Sequence, residues 1–318
     1  MCFGEGPDFG GGHNFSEGCD RCTRRQGDGR PLMLYGRPLA EKIGEEVAAG
    51  VRRLKERGVT PHLAVILVGD NPSSITYVRM KRNACSRLGL GFSLFHLSEV
   101  TTSEELAEKI NLLNQDPLVH GILLQHPLPR HIDSVAAFAR IAPEKDVDGV
   151  GAANFGHLSM GLTAYATATP AAIIDILDYY RLPIEGRHAV VIGRSPILGR
   201  PVAMMLLQRN ATVTICHSHT VNLPAVVQTA DIVVAALGKP RFVQGEWLKP
   251  LAVVVDAGYN PGNIGDVDFA SCASLASAIT PVPGGVGPVT IANLIRNTVR
   301  AAEKAAGKAA GARGVHLP

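Results

Sequence analysis

The 318-residue sequence predicts two α/β domains, each built on a parallel sheet with helices packed against it. Three observations lead to this fold class. The chain is longer than the roughly 250–300 residues at which a single hydrophobic core stops growing. Its apolar runs, such as residues 63–68 and 232–237, are short and continuous, which is typical of strands buried on both faces. Strand and helix patterns alternate along the chain, and the alternation starts again near residue 166.

The first domain is predicted to contain three strands, at residues 63–68, 92–97 and 119–124. A helix precedes them, with apolar residues at helical spacing from Leu39 to Leu54, and Gly58 ends it. The helix after the first strand is predicted to be capped by Ser73 or Ser74 and to run to Leu88. The next one opens with a capping box. A short helix at residues 132–141 follows the third strand.

The second domain is predicted to contain five strands, at residues 188–192, 211–216, 232–236, 252–256 and 276–280. A helix at 170–180 precedes them, and helices at 199–208 and 223–229 lie between them. This domain is complete before Pro281, so the last helix, at 289–304, is predicted to return to the first domain. The predicted division is therefore 31–165 plus 289–308 for the first domain and 166–288 for the second. Residues 1–30 form a mobile extension, and 309–318 form a tail.

Composition excludes several classes of protein. The net charge is +3, and no run of lysine or arginine is interleaved with aromatic residues, which argues against nucleic acid as a partner. No apolar stretch approaches the roughly 20 residues of a membrane-spanning helix. The first 30 residues lack the apolar centre of a signal peptide and are too acidic for a mitochondrial presequence, so a cytoplasmic protein is predicted.

The six cysteines do not form the pattern of a disulfide framework. Cys19 and Cys22 have the spacing of half a zinc site, but no second pair follows, and no metal is predicted. Three others, Cys85, Cys216 and Cys272, lie in or beside apolar stretches and are predicted to be core residues.

A glycine-bracketed turn runs from Gly193 through Arg194 and Ser195 to Gly199, between a predicted strand and a predicted helix. In this context a backbone without side chains can approach a pyrophosphate, and the helix start offers free amides to it. The turn therefore predicts a Rossmann-type dinucleotide site.

The next strand indicates which dinucleotide binds. It ends in Cys216-His-Ser-His-Thr220, with no acid to accept hydrogen bonds from a ribose 2′-hydroxyl. Arg194 and Ser218 suit a 2′-phosphate instead, so NADP is favoured.

Tyr77 and Lys81 lie one helical turn apart on what is predicted to be the start of a helix, where the dipole would lower the pKa of the lysine. Such pairs are also common on ordinary surfaces. Gln125 follows a strand at the edge where parallel sheets bind ligands, although a polar residue that simply closes a strand is more common in general. Asp146 and Asp148 stand in a loop between the domains, where an acid could hold a substrate ring or cap the loop.

The glycine- and proline-rich segment from Pro281 to Pro288 also allows two interpretations. It is either a rigid linker between the domains or a loop whose backbone approaches a ligand closely.

Together these segments resemble the methylenetetrahydrofolate dehydrogenase/cyclohydrolase family, in the family's order and over about residues 34–304. The matching motifs are Pro61-x-Leu-Ala-Val-Ile-Leu-Val-Gly-Asp-Asn-Pro-Ser-Ser74, Tyr77-Val-x-x-Lys81, Gly121-Ile-Leu-Leu-Gln125, Lys145-Asp-Val-Asp-Gly149, Gly193-Arg-Ser195 with Gly199, His217-Ser218, and Thr280-Pro-Val-Pro-Gly-Gly-Val-Gly-Pro288. The resemblance implies an enzyme that oxidises 5,10-methylenetetrahydrofolate with NADP and hydrolyses the methenyl product to 10-formyltetrahydrofolate. It also implies a homodimer that pairs through the nucleotide domain.

The resemblance further assigns roles to residues. Lys81 would be the central catalytic group and Gln125 would position it, while Tyr77 would stack on the folate and Asp148 would bind the pterin. The other implied substrate contacts are Ser74, Pro283, Gly284 and Gly287. The implied cofactor contacts are Gly193, Arg194, Ser195, Gly199, Ser218 and Tyr259.

Three positions depart from the family pattern. His126 replaces a leucine beside Gln125, Thr167-Ala-Thr-Pro170 replaces a Pro-Cys-Thr-Pro segment, and His219 replaces a lysine. The first two leave the balance of the two activities open, and the third leaves the strictness of NADP preference open. The alternatives are therefore an enzyme with dehydrogenase activity alone and a paralogue that binds folate or dinucleotide without turnover.

Overall fold

In the computed structural model, residues 29–313 are described, with side chains through residue 307. The first half of the chain contains β1 (Leu32–Met33), α1 (Arg37–Glu56), β2 (His62–Val68), α2 (Pro72–Leu88), β3 (Gly91–Leu97), α3 (Ser103–Gln115), β4 (Gly121–Leu124), α4 (Ser134–Ala139) and α5 (Ala152–Ser159). The second half contains α6 (Ala168–Tyr179), β5 (His188–Ile192), α7 (Gly199–Gln208), β6 (Thr212–Cys216), α8 (Leu223–Val227), β7 (Ile232–Ala235), β8 (Val253–Asp256), α9 (Phe269–Ala273), β9 (Ala278–Ile279) and α10 (Val286–Arg313), with a short 3-10 helix at Gly245–Trp247. The predicted two-domain α/β fold with parallel sheets is confirmed.

The first domain has three layers around a parallel sheet of order β3-β2-β4. Successive residues of β2 point to opposite faces, because strand side chains alternate. Leu63, Val65 and Leu67 pack in the core with α1, α2 and α10. Ala64 and Ile66 pack with α3 and α4 on the other face. Burial on both faces explains the continuous apolar run.

The second domain is a six-stranded parallel sheet of order β1-β9-β8-β7-β5-β6. The chain enters at β5, moves outward to the edge strand β6, and then returns to the other side of β5 as β7. Open α/β sheets bind ligands where the strand order reverses in this way, at the carboxyl ends of the strands. In this chain that point lies between the ends of β5 and β7.

The amino-terminal strand β1 corrects the predicted division into domains. Residues 31–165 were expected to belong to the first domain, but Leu32 and Met33 pair in parallel with Ala278 and Ile279 of β9. The strand is only two residues long and its partner lies far away in the sequence. No local pattern could therefore assign it to the second sheet.

The last helix, α10, connects the two domains. It begins at Val286, three residues before the predicted start, and its backbone continues to Arg313. It packs against α1 and α6, which confirms that the carboxyl-terminal helix returns to the first domain. Arg296 of α10 forms an ion pair with Asp175 of α6 at 2.8 Å. Residues 309–313 therefore continue the helix and do not form a tail.

Several sequence-based predictions lie partly outside the described residues. These are most of the extension at 1–30, the Cys19/Cys22 pair and residues 314–318. Within residues 29–313, Cys85, Cys216 and Cys272 are buried with free thiols, as predicted. None of the described helices is long and apolar enough to cross a membrane.

Candidate active site

Lys81 lies in the interior of α2 and not in its opening turns. The helix is capped by Asn71, whose side-chain oxygen accepts a hydrogen bond from the Ser74 backbone N–H at 3.1 Å, so the predicted cap at Ser73 or Ser74 is wrong. Lys81 is the tenth of the helix's 17 residues and is only 9% exposed. Helix-dipole effects fade beyond the first turn. The predicted origin of a lowered lysine pKa is therefore also wrong.

Gln125 holds the Lys81 ammonium. It follows β4, and its backbone N–H donates to the carbonyl of Ile66 at 2.8 Å, which continues the sheet pairing by one residue. Lys81 Nζ donates to Gln125 Oε1 at 2.8 Å. Gln125 Nε2 donates to the carbonyl oxygen of His126 at 2.7 Å. An ammonium can only donate, so this arrangement fixes the orientation of the amide.

Burial lowers the pKa of Lys81 below its usual value, because removing water disfavours the charged form. The neighbouring Asp148 and Cys85 act in the opposite direction and favour the ammonium. Burial also raises the pKa of the Cys85 thiol to about 12, so this thiol is neutral at physiological pH. The lysine therefore gives up its proton more readily than an exposed lysine would, whereas the thiol keeps its proton.

Asp148 lies beside Lys81, at the end of the loop that leaves the first domain. The residue keeps part of its surface exposed, but burial of its carboxyl raises the pKa to about 6. Lys81 and a hydrogen bond from the Ala168 backbone lower that pKa, while Asp146 raises it. Asp148 therefore changes charge close to physiological pH.

Asp146, the other acid of this loop, has a structural role. It is 1% exposed and accepts hydrogen bonds from the Gly151 backbone N–H at 2.8 Å and from Asn154 Nδ2 at 2.9 Å. Asn154 is not among the site residues predicted from the sequence. This acid and amide fix the path of the chain between the domains, so of the two acids only Asp148 remains available to a ligand.

Tyr77 and Tyr259 meet across the gap between the domains. Tyr77 comes from α2 and Tyr259 from the loop after β8, and their ring centroids are 5.0 Å apart in an edge-on arrangement with an interplanar angle of 70°. Burial, with a smaller effect of Tyr259, raises the pKa of Tyr77 to about 12. The phenol of Tyr77 therefore stays neutral and offers a ring face or a hydroxyl, not a charge.

The glycine turn lies at the point where the strand order reverses. Gly193 has φ +127°, and a Cβ there would overlap the carbonyl oxygen of Ala236 after β7. A Cβ on Gly199, the first residue of α7, would overlap the carbonyl oxygen of Gly193. Only glycine fits either position, so this turn presents bare backbone at the edge of the sheet. Ser195 Oγ accepts from the Gly199 backbone N–H at 3.4 Å.

The two residues predicted to bind a 2′-phosphate are both exposed near this turn. Arg194 follows Gly193 directly, and Ser218 lies in the loop after the adjacent strand β6. His219 is exposed beside Ser218, and its backbone N–H donates to Nδ1 of His217 at 3.1 Å. The loop is thus held by local hydrogen bonds, with its polar side chains directed outward.

The glycine- and proline-rich segment is a short loop followed by a helix. Pro283 and Gly284 belong to the loop, but Gly287 lies in the first turn of α10, so the predicted loop is too long. The carbonyl of Gly284 accepts from the Gly36 backbone N–H at 2.9 Å. Gly284 has φ +106°, which favours glycine. The segment is therefore a fixed turn ahead of a helix N-terminus.

Ser74 is 2% exposed, and its hydroxyl is buried without a hydrogen-bond partner among the described residues. It lies on α2, close to one turn before Tyr77. An unpaired buried hydroxyl has an unsatisfied donor and acceptor, which a bound polar ligand group could use.

Two of the unusual residues have definite structural positions. Thr167 Oγ1 donates to the carbonyl of Gly149 at 2.9 Å, which ties the start of α6 to the loop that carries Asp148. The side chain of His126 is exposed and its ring lies 6.4 Å from that of Phe138. Neither residue disturbs the hydrogen bond between Lys81 and Gln125.

The arrangement combines a buried lysine, a positioned amide and an acid of raised pKa on one domain with a dinucleotide-type turn on the other. A shifted pKa beside a ligand-binding edge is typical of a group that transfers protons during catalysis. No cluster of three or more His, Cys, Asp or Glu side chains within residues 29–313 is placed to hold a metal ion.

Both halves of the chain match known protein families. Residues 34–148 match the family model described as tetrahydrofolate dehydrogenase/cyclohydrolase, catalytic domain. Residues 167–306 match the model described as tetrahydrofolate dehydrogenase/cyclohydrolase, NAD(P)-binding domain.

Individual proteins similar to this chain carry names that agree with these two family models. The bifunctional protein FolD of Shouchella clausii is 59% identical over 268 residues, which are 84% of this chain and 96% of that protein. The FolD protein of Cellvibrio japonicus is 57% identical over 83% of this chain and 95% of that protein.

Solved structures are also similar. The crystal structure of the Campylobacter jejuni FolD enzyme matches with a TM-score of 0.83 and 44% identity, over 86% of this chain and 99% of that one. The Trypanosoma brucei methylenetetrahydrofolate dehydrogenase-cyclohydrolase, complexed with NADP cofactor and inhibitor, matches with a TM-score of 0.83 and 37% identity, over 86% and 98%.

Proposed function

The chain belongs to the tetrahydrofolate dehydrogenase/cyclohydrolase family, and we propose that it catalyses both of the reactions in that name. It oxidises 5,10-methylenetetrahydrofolate to the 5,10-methenyl form with NADP, and it hydrolyses the methenyl form to 10-formyltetrahydrofolate. The observation that carries this proposal is the buried Lys81 ammonium on Gln125, at a gap faced by a dinucleotide-type turn.

The residues of the second domain fit NADP. At Gly193 and Gly199 any side chain would clash, so the backbone is bare where a pyrophosphate has to approach. We assign Arg194 and Ser218 to the 2′-phosphate, and Ser195 and Tyr259 to the walls of the same site. The chemistry supplied by NADP when bound is acceptance of a hydride from the one-carbon bridge.

Lys81 acts in the hydrolytic step. Water adds to the methenyl carbon and must lose a proton, and the bond from that carbon to one folate nitrogen must then break, with a proton delivered to the nitrogen. A lysine whose pKa is lowered by burial can take the first proton and return the second. Gln125 holds the lysine nitrogen in place through the two protonation states, because its amide oxygen can accept from either the ammonium or the amine.

The folate is bound by the first domain and the loop ahead of α10. Tyr77 stacks on an aromatic part of the folate, and Asp148 accepts hydrogen bonds from the pterin ring. The buried Ser74 hydroxyl, which has no hydrogen-bond partner within residues 29–307, suits a polar group of the substrate. Pro283, Gly284 and Gly287 complete this side of the pocket.

The function is tested by assaying the two steps separately on the purified full chain. With methylenetetrahydrofolate and NADP, the protein should form NADPH and 10-formyltetrahydrofolate. Lys81→Met should slow hydrolysis of supplied methenyltetrahydrofolate about 10²–10⁴-fold, the usual contribution of a general acid–base group. Lys42→Met, at an exposed position of α1, is the matched control and should leave both steps unchanged.

The other possible outcomes of these assays distinguish the proposed function from its alternatives. Wild-type protein that forms neither NADPH nor methenyl product would refute the proposed function. Methenyl product that accumulates without formyl product would support the dehydrogenase-only alternative. Tight binding of both ligands without turnover would support the non-catalytic one. Full hydrolysis by Lys81→Met would remove the lysine from the mechanism.

We also propose that the protein is a homodimer paired through its nucleotide domain. In support, β6 is an edge strand, hydrogen-bonded only to β5 within the described part of the chain. Val221, shortly after this strand, is 88% exposed. Sedimentation analysis should show one species of twice the chain mass, and a monomer at micromolar concentration would contradict the proposal. The cytoplasmic location stays a prediction, which fractionation of cells expressing the full chain can test.

A further inference from the structure

The aromatic contact between Tyr77 and Tyr259 joins two domains that otherwise contribute different parts of the proposed reaction. Tyr77 lies one helical turn before Lys81 on α2, and Tyr259 follows β8 at the ligand-binding edge of the other sheet. The rings meet edge-on at 5.0 Å between centroids, a geometry that aromatic pairs favour. The contact therefore connects the nucleotide-binding edge to the helix that carries the lysine.

The backbone on both sides of Tyr259 is anchored inside the second domain. Before it, the Gly258 N–H donates to Asp256 Oδ1 at 2.9 Å. After it, Asn260 Nδ2 donates to Asp266 Oδ1 at 3.0 Å, and the Asn260 N–H donates to the Ile264 carbonyl at 2.9 Å. These hydrogen bonds restrain the backbone of Tyr259 from both sides.

The anchor itself is rigid. Asp266 is fully buried, and its carboxylate also accepts the backbone N–H groups of Leu237, Gly238 and Lys239 at 2.6–2.9 Å. The loop after β7 and the loop after β8 are thereby tied to one carboxylate. A side chain on Gly258 would collide with Asp266, which leaves no room for a shift at this point.

The Tyr259 ring is oriented as well. Its hydroxyl donates to Asn263 Oδ1 at 2.7 Å, within the same loop, and 41% of the residue remains exposed. The ring therefore projects from a fixed loop towards Tyr77, while part of its surface stays open to a ligand.

We propose that Tyr259 is a positioning residue that acts through Tyr77 to set the distance between the two halves of the active site. The proposal rests on the proposed function. Hydride transfer needs a ligand on each domain at the correct separation. Hydrolysis of methenyltetrahydrofolate needs no dinucleotide, and its proton transfers are assigned to Lys81 and Gln125 of the first domain. Loss of the Tyr259 ring should therefore affect the two reactions unequally.

The experiment compares Tyr259→Ala and Tyr259→Phe in the full chain, with each reaction started from its own substrate. For Tyr259→Ala we expect dehydrogenase kcat at saturating NADP to fall about ten- to a hundredfold, since small misplacement of reacting groups has effects of this size. Loss of a wall of the NADP site alone would instead raise the KM for NADP and leave kcat unchanged. Hydrolysis of supplied methenyltetrahydrofolate, without NADP, should stay within about twofold of wild type. Tyr259→Phe keeps the ring and should restore most of the dehydrogenase rate.

Tyr179→Ala is the matched control. Tyr179 is 40% exposed and makes an edge-on contact with Tyr180 at 5.1 Å, but it lies at the end of α6, in the other direction along that helix from the active-site loop. It should change neither rate, and thermal unfolding should show that all variants are folded.

Three results would overturn the inference. They are an unchanged dehydrogenase rate in Tyr259→Ala, an equal fall in both reactions, and a Tyr259→Phe variant as slow as Tyr259→Ala. In each of these cases an active wild-type enzyme would leave the proposed function intact. A wild-type protein inactive in both reactions would instead refute the proposed function and, with it, the inference.

Discussion

Lys81 carries a cation where lysine is rarely found, because lysine is almost never fully buried without a partner. Its hydrogen-bond partner is a neutral amide, and the opposing charge beside it is Asp148. Burial pushes both ionisable groups towards their neutral forms, while each favours the charged form of the other. The result is a pair whose protonation responds to pH and to a ligand that fills the gap.

The raised pKa of Asp148 predicts a pH effect on substrate binding. Its value of about 6 means that the carboxylate becomes protonated as the pH falls through 6. A protonated carboxyl accepts fewer hydrogen bonds, so the KM for methylenetetrahydrofolate should rise about tenfold per pH unit once the pH is well below 6. Initial rates measured between about pH 5 and pH 8 test this expectation.

Two variants make the pH experiment specific. Asp148→Asn should have a high KM that no longer depends on pH in this range. Glu144→Gln, at an exposed acid of the same loop, should keep the wild-type profile. A wild-type KM that is constant through pH 6, or an unchanged profile in Asp148→Asn, would contradict the assignment.

The same shift has a consequence for stability. The pKa of Asp148 is higher in the folded protein, about 6, than its ordinary value of 3.8. Between these values the folded state holds a proton that the unfolded chain has lost. The contribution of this residue to the free energy of unfolding is therefore complete at low pH and is lost as the pH rises through 6.

The positions of the reactive residues can be predicted from the sequence, but the cause of their chemistry cannot. Tyr77, Lys81 and Gln125 were visible because helix spacing and strand ends are local patterns. The position of Lys81 in the sequence predicts a pKa lowered by a helix dipole, whereas burial lowers it, and burial depends on residues that are distant in sequence. Asn71, Asn154 and Asp266 were not singled out for the same reason, since their partners are set by loops whose paths the sequence did not show.

At the scale of elements, the turn between β5 and α7 is the most constrained feature. A Cβ at Gly193 would overlap the carbonyl oxygen after β7, and a Cβ at Gly199 would overlap the carbonyl oxygen of Gly193. This close packing of backbone restricts the conformation of the turn. The first residue of α7 is therefore part of the cofactor site as well as part of the helix.

Two contributions to cofactor binding can therefore be tested separately: the shape of the backbone turn and the charge of Arg194. Gly199→Ala should displace the turn and raise the KM for NADP and NAD alike, by about tenfold or more, because overpacking costs about 1–3 kcal/mol. Arg194→Ala should weaken NADP by about tenfold or more relative to NAD, since a hydrogen bond to a charged group contributes about 1.5–3 kcal/mol. Steady-state kinetics with each cofactor measure both effects.

A third glycine is the control. Gly156 lies inside α5 with open space where a Cβ would be, so Gly156→Ala should leave both KM values unchanged. Hydrolysis of methenyltetrahydrofolate, which needs the first domain, should persist in all three variants. Equal losses for NADP and NAD in Arg194→Ala would argue against its 2′-phosphate role.

Strands and helices were predicted well where the apolar pattern within the segment itself indicated them. The strand at 188–192 and the helix at 199–208 have the predicted bounds. The helix α5 was missed because it has only eight residues, and the start of α10 was placed late because glycine and proline occupy its first turn. The strand β1 was missed because two residues carry no periodicity.

For the whole molecule, the important feature is the pair of helices that connects the domains. Asp175 of α6 accepts hydrogen bonds from Asn293 and Arg296 of α10 at 2.9 and 2.8 Å. Both helices begin at the active site, α6 beside the Asp148 loop and α10 after the Gly284 turn. The separation of the domains is thus set by this helix pair at one side and by the Tyr77–Tyr259 contact at the other. The two-domain architecture could be predicted, but the width of the gap depends on these long-range contacts.

The pairing of β1 with β9 has a consequence for biosynthesis. Within the described residues, the first strand along the chain is the outermost strand of a sheet in which its neighbour, β9, is the last strand along the chain. The Gly36 backbone N–H donates to the carbonyl of Gly284, in the turn that follows β9. During translation the leading segment emerges long before its partner exists. The nucleotide domain therefore cannot be completed until β9 has left the ribosome, and a gene cut between the two domains would leave β1 on the wrong fragment.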